Sequence, residues 1–182
     1  MLRIRSAVAV AAVLLSATVA ASSAHAACAG ADDMPSSANA AKVRTATLCL
    51  LNVQRRVHGL RKLRENGKLR HASVDYSRLM VSQGFFSHVS PSGSTLQSRV
   101  TGTHYLDGAR AWSIGENIAW GTGTLGTPRS IVRAWMHSPG HRANILNGTY
   151  RDIGSGIASG APIPAGAAAN GATYTTDLGH RS

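Results

Sequence analysis

The stretch Ile153-Gly154-Ser155-Gly156-Ile157-Ala158 constrains the fold of this chain more than any other. Bulky and bare positions alternate with a period of two, the repeat of a β-strand whose successive side chains point to opposite faces. One face carries Ile153, Ser155 and Ile157, the other Gly154, Gly156 and Ala158. The bare face leaves room for a helix to approach closely.

The rest of the chain supplies the helices. Ser36, Ser37 and Asn39 offer cap chemistry ahead of Val43, Thr47, Leu50, Leu51, Gln54 and Val57, which recur at helical spacing and stop at Gly59. Leu60 and Leu63 continue as an apolar tether to the turn Asn66-Gly67. Leu69, Ala72, Tyr76, Leu79, Met80 and Gln83 then form one stripe of a second helix ending at Gly84. After the turn Ser90-Pro91-Ser92-Gly93, Ser94 is placed to cap a short helix through Val100.

Ile114 to Trp120 reads as a strand entering the glycine-rich loop Gly121 to Gly126. Thr127 and Pro128 open another helix, as N-cap and first helical residue, with Ile131, Val132, Ala134 and Trp135 on its buried side. Ser138-Pro139-Gly140 ends it, and His141 to Leu146 make a further helical turn. Gly160 to Gly171 reads as a hairpin loop before a final strand, Thr173 to Leu178. Helices early and strands late, with one helical interruption, describe an α+β domain with helices on both faces of a mostly antiparallel sheet.

The first residues carry an address. Arg3 and Arg5 precede an apolar run from Ala7 to Leu15, and Ala24-His25-Ala26 satisfies the small-x-small rule for signal-peptidase cleavage before Ala27. We therefore expect residues 1–26 to be a secretory signal, 27–44 a linker and helix start, 45–179 the domain, and 180–182 a tail. The apolar run falls short of the about 20 residues a spanning helix needs. Lipidation at Cys28 is disfavoured by His25, which stands where a lipobox has an apolar residue.

Cys28 and Cys49 are the only cysteines. In an oxidising compartment the pair invites a disulfide, which would contribute about 3 kcal/mol by closing that loop. The alternative is two free thiols, with Cys49 buried on a helix and Cys28 in a frayed tail.

Loss of Arg3 and Arg5 would take the formal charge from +11 to +9. The excess is spread from Arg44 through Arg78 and later arginines without a polybasic run, and neither a nucleic-acid-binding motif nor interleaved aromatics accompany it. No nucleic-acid partner is expected. A basic exported domain is suited to anionic cell-wall polymers or lipid headgroups, although a solvated arginine-rich surface explains the charge equally well. No feature signals oligomerisation, so a monomer is expected.

Three segments concentrate ionisable groups beside small or turn-forming residues: Phe86-Ser87-His88, Gly115-Glu116-Asn117-Ile118-Ala119, and Trp135-Met136-His137-Ser138-Pro139-Gly140-His141-Arg142-Ala143-Asn144-Ile145-Leu146. His88 and His141 follow Ser87 and Gly140 at element ends, where a ring can point into a cleft; neutral imidazole is the commonest metal ligand. His137 and His141 stand four residues apart, but the helix-ending Ser138-Pro139-Gly140 lies between them and no His-Glu-x-x-His is present, so no local zinc motif of that kind exists. His58, His71, His104, His137 and His180 read as solvated.

Glu116 lies in an apolar strand, where a carboxylate needs a partner, and an imidazole is the obvious one. It serves as a structural tie, as the orienter of a ligand histidine, or as a general base. Ser138, three residues before His141, reads either as a nucleophile beside a base or as a helix-ending hydroxyl bonded to backbone. Arg142, Asn144 and Asn147 lie beside this motif, and Trp120 is the best candidate for an exposed sugar-stacking ring.

Together with Leu51-Asn52, Arg55, Gly59-Leu60, Gly67 to Leu69, Arg99, Tyr150 to Gly156 and Tyr174 to Gly179, these segments resemble the bacterial form of the CAP family. That family comprises cysteine-rich secretory proteins, antigen 5 and plant pathogenesis-related proteins. The resemblance covers residues 45 to 179 and implies a three-layer α-β-α sandwich. It further implies a shallow cleft in which His88 and His141 hold a divalent metal, zinc first, beside Glu116. Where animal and plant relatives carry a second cleft glutamate, this chain has Ser138, as bacterial members commonly do.

The function expected from the resemblance is a non-enzymatic extracellular binding domain with a lipid or cell-wall ligand near the cleft. The alternatives are a metal-assisted hydrolase using His88, His141 and Glu116, and a structural cell-envelope protein.

Overall fold

The computed structural model describes residues 28–163 and 170–182. The expected signal segment with its cleavage point before Ala27, and residues 164–169 of the expected hairpin loop, lie outside the described residues.

Helix α1 spans Ala40–Val57 and buries Val43, Ala46, Thr47, Leu50, Leu51 and Arg55 along one side. Asn39 sits at its N-cap position without capping it. Its side chain instead accepts from Ser36 N and donates to Met34 O, which orders the preceding turn. Helix α2, Gly67–Gln83, is capped by the Asn66 side chain and stopped by Gly84, whose left-handed backbone (φ 64) suits glycine. Helix α3, Leu96–Gly102, starts one residue later than the sequence suggested, because Thr95 and Ser98 form a reciprocal capping box. Helix α4, Pro128–His137, begins at the Thr127 cap as expected. Ser138 ends α4 and begins α5, Pro139–Ile145.

Four strands, β1 (Arg64–Glu65), β2 (Trp112–Thr122), β3 (Asp152–Ser159) and β4 (Gly171–Arg181), form one sheet in the order β1-β3-β4-β2. The pairs β2–β4 and β3–β4 are antiparallel, and β1 joins β3 in parallel. Strand β1 falls in the stretch that sequence alone rendered as a tether. Asn52 on α1 exchanges hydrogen bonds with both backbone groups of Leu63 (2.8 and 3.1 Å) and delivers the next two residues to the edge of β3. Strand β4 continues to Arg181, and Ser182 exchanges backbone hydrogen bonds with Ala111.

The two faces of the sheet differ in character. Ile153, Ala172, Tyr174 and Leu178 pack with α1, α4 and α5 into the main apolar core around Trp135, Leu50, Leu51 and Ile145. The opposite face meets α2 through a polar layer. Ser73 Oγ bonds Gly154 O and Asp177 Oδ2, and Ser77 Oγ bonds Gly156 O and Thr175 Oγ1. Helices on both faces make this the expected three-layer α-β-α sandwich.

The bare strand face explains that contact. A Cβ at Gly154 would stand 2.0 Å from Leu69 C and 2.1 Å from Arg70 N, and one at Gly156 would stand 2.0 Å from Ser73 O. Helix α2 therefore lies backbone to backbone on β3. Cys28 and Cys49 are disulfide-bonded, with Cα atoms 5.7 Å apart, so the free-thiol alternative is excluded and the N-terminal segment is tied to α1.

Gly154→Ala should lower stability by about 3 kcal/mol or more, since rigid backbone rather than a side chain blocks the new methyl. Gly140→Ala, where nothing lies within 4 Å of the added Cβ, is the control. Thermal unfolding of both variants checks this, and the control should lie within about 0.5 kcal/mol of the parent.

Candidate functional site

Strand β2 is one edge of the sheet, and the two helical layers reach it from opposite sides. Glu116 pairs across the ladder with Asp177 on β4, and both side chains point toward α2. Asn117, one residue on, points the other way, toward α5. The β-strand alternation thus places a carboxylate on one face of the edge strand and an amide on the other.

On the α2 side, the segment that leaves the helix carries His88. Tyr76 fixes that segment by donating its hydroxyl to Ser87 O at 2.7 Å. His88 Nδ1 donates to Glu116 Oε1 at 2.8 Å, so Glu116 does find the imidazole partner expected of it. It finds a second partner as well. Arg99 of α3 donates from Nη2 to Glu116 Oε2 at 2.6 Å, and its guanidinium lies 3.4 Å from the centroid of the Tyr76 ring. Arg99 also donates to the carbonyls of His88 and Ser94. The Glu116 side chain is 2% exposed and the Arg99 side chain 8%, whereas His88 is 55% exposed. A buried ion pair thus carries an imidazole that faces solvent.

Asp177 completes this layer. Its Oδ2 accepts from Ser73 Oγ at 2.9 Å, while Oδ1 is buried with no partner that could donate to it. Burial first, and the Glu116 carboxylate second, push its carboxyl well above the usual carboxylate range. Burial beside a second carboxylate therefore favours the protonated form of Asp177, the cross-strand neighbour of Glu116.

On the other side, α5 carries His141. Asn144 Nδ2 donates to Glu116 O and Asn117 Oδ1, and Asn117 Nδ2 donates to His141 O, which ties the helix to the edge strand. His141 Nδ1 and Ser138 Oγ share a hydrogen bond of 2.8 Å. Of the two readings of Ser138, the structure shows the contact with His141 and, among the described residues, no backbone group capped by the hydroxyl. Burial, and secondarily the charge of His88, lower the pKa of His141. The two rings are thus close enough to sense each other across the cleft.

Neither His88 Nε2 nor His141 Nε2 has a protein partner among the described residues, and both Nδ1 atoms are held. These are the atoms that could receive a metal. Among the described residues, no group of three or more His, Cys, Asp or Glu side chains is arranged to hold one. Glu116 is not a third donor, because both its oxygens are engaged.

Other candidates lie elsewhere. Arg142 reaches His58 Nε2 at 3.2 Å, and Asn147 Oδ1 accepts from Thr149 N, so neither addresses the cleft. Trp135 is core, and its indole donates to Ile118 O. Trp120 is 38% exposed and lines a groove of about 550 Å³ with Leu125, Ile131, Arg133 and His137. Trp112 is exposed too. His58, His71, His104 and His137 are exposed, as expected, and His180 is half-buried on β4.

Sequence reasoning missed Arg99 as the partner of Glu116, and it missed Asp177. The argument that flagged Glu116, a carboxylate in a strand otherwise fit for the interior, applies equally to Asp177 between Thr176 and Leu178. Nothing local marks Arg99, which meets Glu116 only through the packing of α3.

The sequence profile of the cysteine-rich secretory protein family (CAP) matches residues 48–165. The Bacillus subtilis protein YkwD, uncharacterized, is 35% identical over 116 residues, which is 63% of this chain and 42% of YkwD. Its membrane protein YlbC, also uncharacterized, is 36% identical over 110 residues, 60% of this chain and 30% of YlbC. The chain thus spans less than half the length of these curated relatives. Among solved structures, an extracellular SCP-domain protein from Bacillus anthracis superposes with a TM-score of 0.58 at 25% identity, covering 78% of this chain and 40% of that one. An outer surface protein from Borrelia burgdorferi gives 0.59 at 19% identity, covering 74% and 90% respectively, and supports the fold.

The raised pKa of Asp177 gives a testable pH dependence. A carboxyl whose pKa is higher folded than unfolded contributes stability fully below the unfolded value of about 4, and loses it as pH rises toward the folded value. Asp177→Asn, which keeps a donor toward Glu116, should remove that loss. Its stability relative to the parent should grow with pH by up to about 1.4 kcal/mol per pH unit. Denaturant unfolding from pH 4 to pH 8 checks this; parallel curves would mean that Asp177 is ionised in the fold.

Proposed function

Because the chain belongs to the cysteine-rich secretory protein family, we propose that it is an extracytoplasmic, non-enzymatic binding domain whose cleft offers two imidazoles to a divalent ion. The observation that carries this reading is the division of labour at the imidazole nitrogens. Each Nδ1 is held, by Glu116 or by Ser138, and each Nε2 is left to meet a ligand. Hydrogen bonding at Nδ1 fixes tautomer and ring orientation, which is what a ligand histidine needs. The lowered pKa of His141 keeps its ring neutral and available near neutral pH.

Zinc suits two nitrogen donors, but its sites usually have three or four protein ligands. The remaining positions are left for water or for a group on the partner, so the ion would be held modestly and would be most stable with a bound ligand. The extracellular and outer-surface descriptions of the structural neighbours, together with the Cys28–Cys49 disulfide, support a location outside the cytoplasm. Lipids and anionic wall polymers are the ligand classes that fit such a location.

A metal-assisted hydrolase would need Glu116 as general base on water. That role sits poorly with a 2% exposed carboxylate gripped on both oxygens. A serine hydrolase built on Ser138 and His141 has the nucleophile–imidazole contact. It lacks a carboxylate to orient the ring, since Nδ1 is used by the serine itself.

Calorimetric titration of zinc into the metal-stripped, disulfide-bonded domain tests the reading. One-to-one binding should vanish in His88→Ala and in His141→Ala, and should weaken about 10- to 100-fold in Glu116→Gln, which removes the carboxylate that holds His88 and is titrated at a temperature where its folding is verified. Binding indifferent to both histidine variants would exclude the cleft. Hydrolysis of a wall peptide or lipid ester that Glu116→Gln abolishes would replace the binding reading with the hydrolase.

A further inference from the structure

At the sheet edge formed by β1, away from the histidine cleft, Arg61, Lys62, Leu63, Arg64, Arg151 and Asp152 line a groove of about 660 Å³. Arg61, Lys62 and Arg64 are exposed, and among the described residues none has a carboxylate partner. The nearest acid in sequence, Glu65, is turned to Arg44 and Arg70 instead. Arg151 donates to the carbonyls of Gly148, Thr149 and Tyr150, groups that hold it in place without cancelling its charge. Asp152, the one carboxylate in the groove, accepts the Tyr105 hydroxyl at 2.8 Å.

A further cation lies underneath. Arg55 is fully buried and donates to the carbonyls of Arg61, Ile145, Asn147 and Tyr150, again with no carboxylate. Burial first, and the charge of Arg151 second, lower its pKa, which registers the positive field at this edge. Five cations thus surround one carboxylate. Clustered like charges repel and disfavour the compact state, so the fold gains nothing by gathering them. An anionic partner does.

We propose that this groove binds a linear polyphosphodiester, a single chain of an extracellular wall polymer lying along the β1 edge. Guanidinium forks bind phosphate oxygens bidentately, and three of the four lining cations are arginines. A volume of about 660 Å³ suits a single polymer strand whose phosphates meet the lining cations in turn. Its lining ends in charged groups, and its one apolar residue, Leu63, is 3% exposed. None of the exposed large hydrophobic residues, Val57, Phe86, Val89, Trp112, Trp120 and Leu125, lines it. The groove shares no residue with the cleft and does not depend on metal there.

The test is fluorescence anisotropy with labelled poly(glycerol phosphate), using the disulfide-bonded domain free of metal. The double variant Arg61→Gln/Arg64→Gln should bind at least tenfold more weakly. Arg78→Gln/Arg110→Gln, two exposed arginines outside the groove with the same change in charge, should shift affinity less than threefold. Only the carbonyl of Arg61 holds Arg55, so the first pair leaves that support intact; equal melting temperatures would verify folding. Raising salt from about 50 to 200 mM should weaken binding about 50-fold if roughly four phosphates are engaged. His88→Ala should leave binding unchanged. Equal losses in the two double variants would reduce the effect to net charge and overturn the proposal. So would absence of binding, or binding to anionic phospholipid vesicles or duplex DNA as tight as to the polymer and equally sensitive to Arg61→Gln/Arg64→Gln.

Discussion

The approach of α2 to β3 is the constraint from which the site follows. With no Cβ at Gly154 or Gly156, helix and strand backbones come close enough for Ser73 and Ser77 to donate into the β3 carbonyls. Those serines also reach across to β4, where Ser73 meets Asp177 and Ser77 meets Thr175. The same placement sets Tyr76 beneath Arg99 and beside the segment that presents His88. A bulkier residue at either glycine would lift the helix and pull this whole layer out of register.

This layer is polar and buried, so its stability rests on matched donors and acceptors, although Arg99 Nε is buried in it without a partner among the described residues. Glu116 sits at its centre, held by Arg99 and by His88, with Asp177 beside it across the ladder. The opposite face of the sheet is a conventional apolar core around Trp135, from which α5 projects His141 beside Ser138. The cleft arises because β2 is an edge strand, so elements from both layers can fold around it to bring one imidazole from each. Its chemistry resides in two outward nitrogen atoms, and its acids are spent on support.

Much of this was legible in the sequence, and the reasons are local. The alternation from Ile153 to Ala158 announced both the strand and the helix on its bare face. Thr127-Pro128, Asn66-Gly67 and Gly84 marked helix ends through cap chemistry that depends on few neighbours. Glu116 stood out as a carboxylate in an apolar strand. What stayed hidden depends on distant packing. Strand β1 exists because Asn52 presents Leu63 to the sheet, and Arg99 becomes a partner of Glu116 only once α3 packs beside β2. The three-residue spacing of Ser138 and His141 allowed either a contact between them or a hydroxyl bonded to backbone, and only the orientation of α5 decides for the contact. Three cations of the positive groove, Arg61, Lys62 and Arg64, are neighbours in the sequence, but Arg151, about ninety positions on, joins them only through the pairing of β1 with β3.

The central claim is that the Glu116 carboxylate is a structural clamp and not a spare catalytic base. A double-mutant cycle with Arg99→Met and Glu116→Gln, read by denaturant unfolding at neutral pH, tests it most directly. Breaking a buried pair strands the remaining partner, so each single change should cost about 3 kcal/mol or more. The double variant should cost little beyond either single, giving a coupling of about 3 kcal/mol. A Glu116→Gln variant within about 0.5 kcal/mol of the parent, with no coupling to Arg99, would contradict the account and leave the carboxylate free for chemistry.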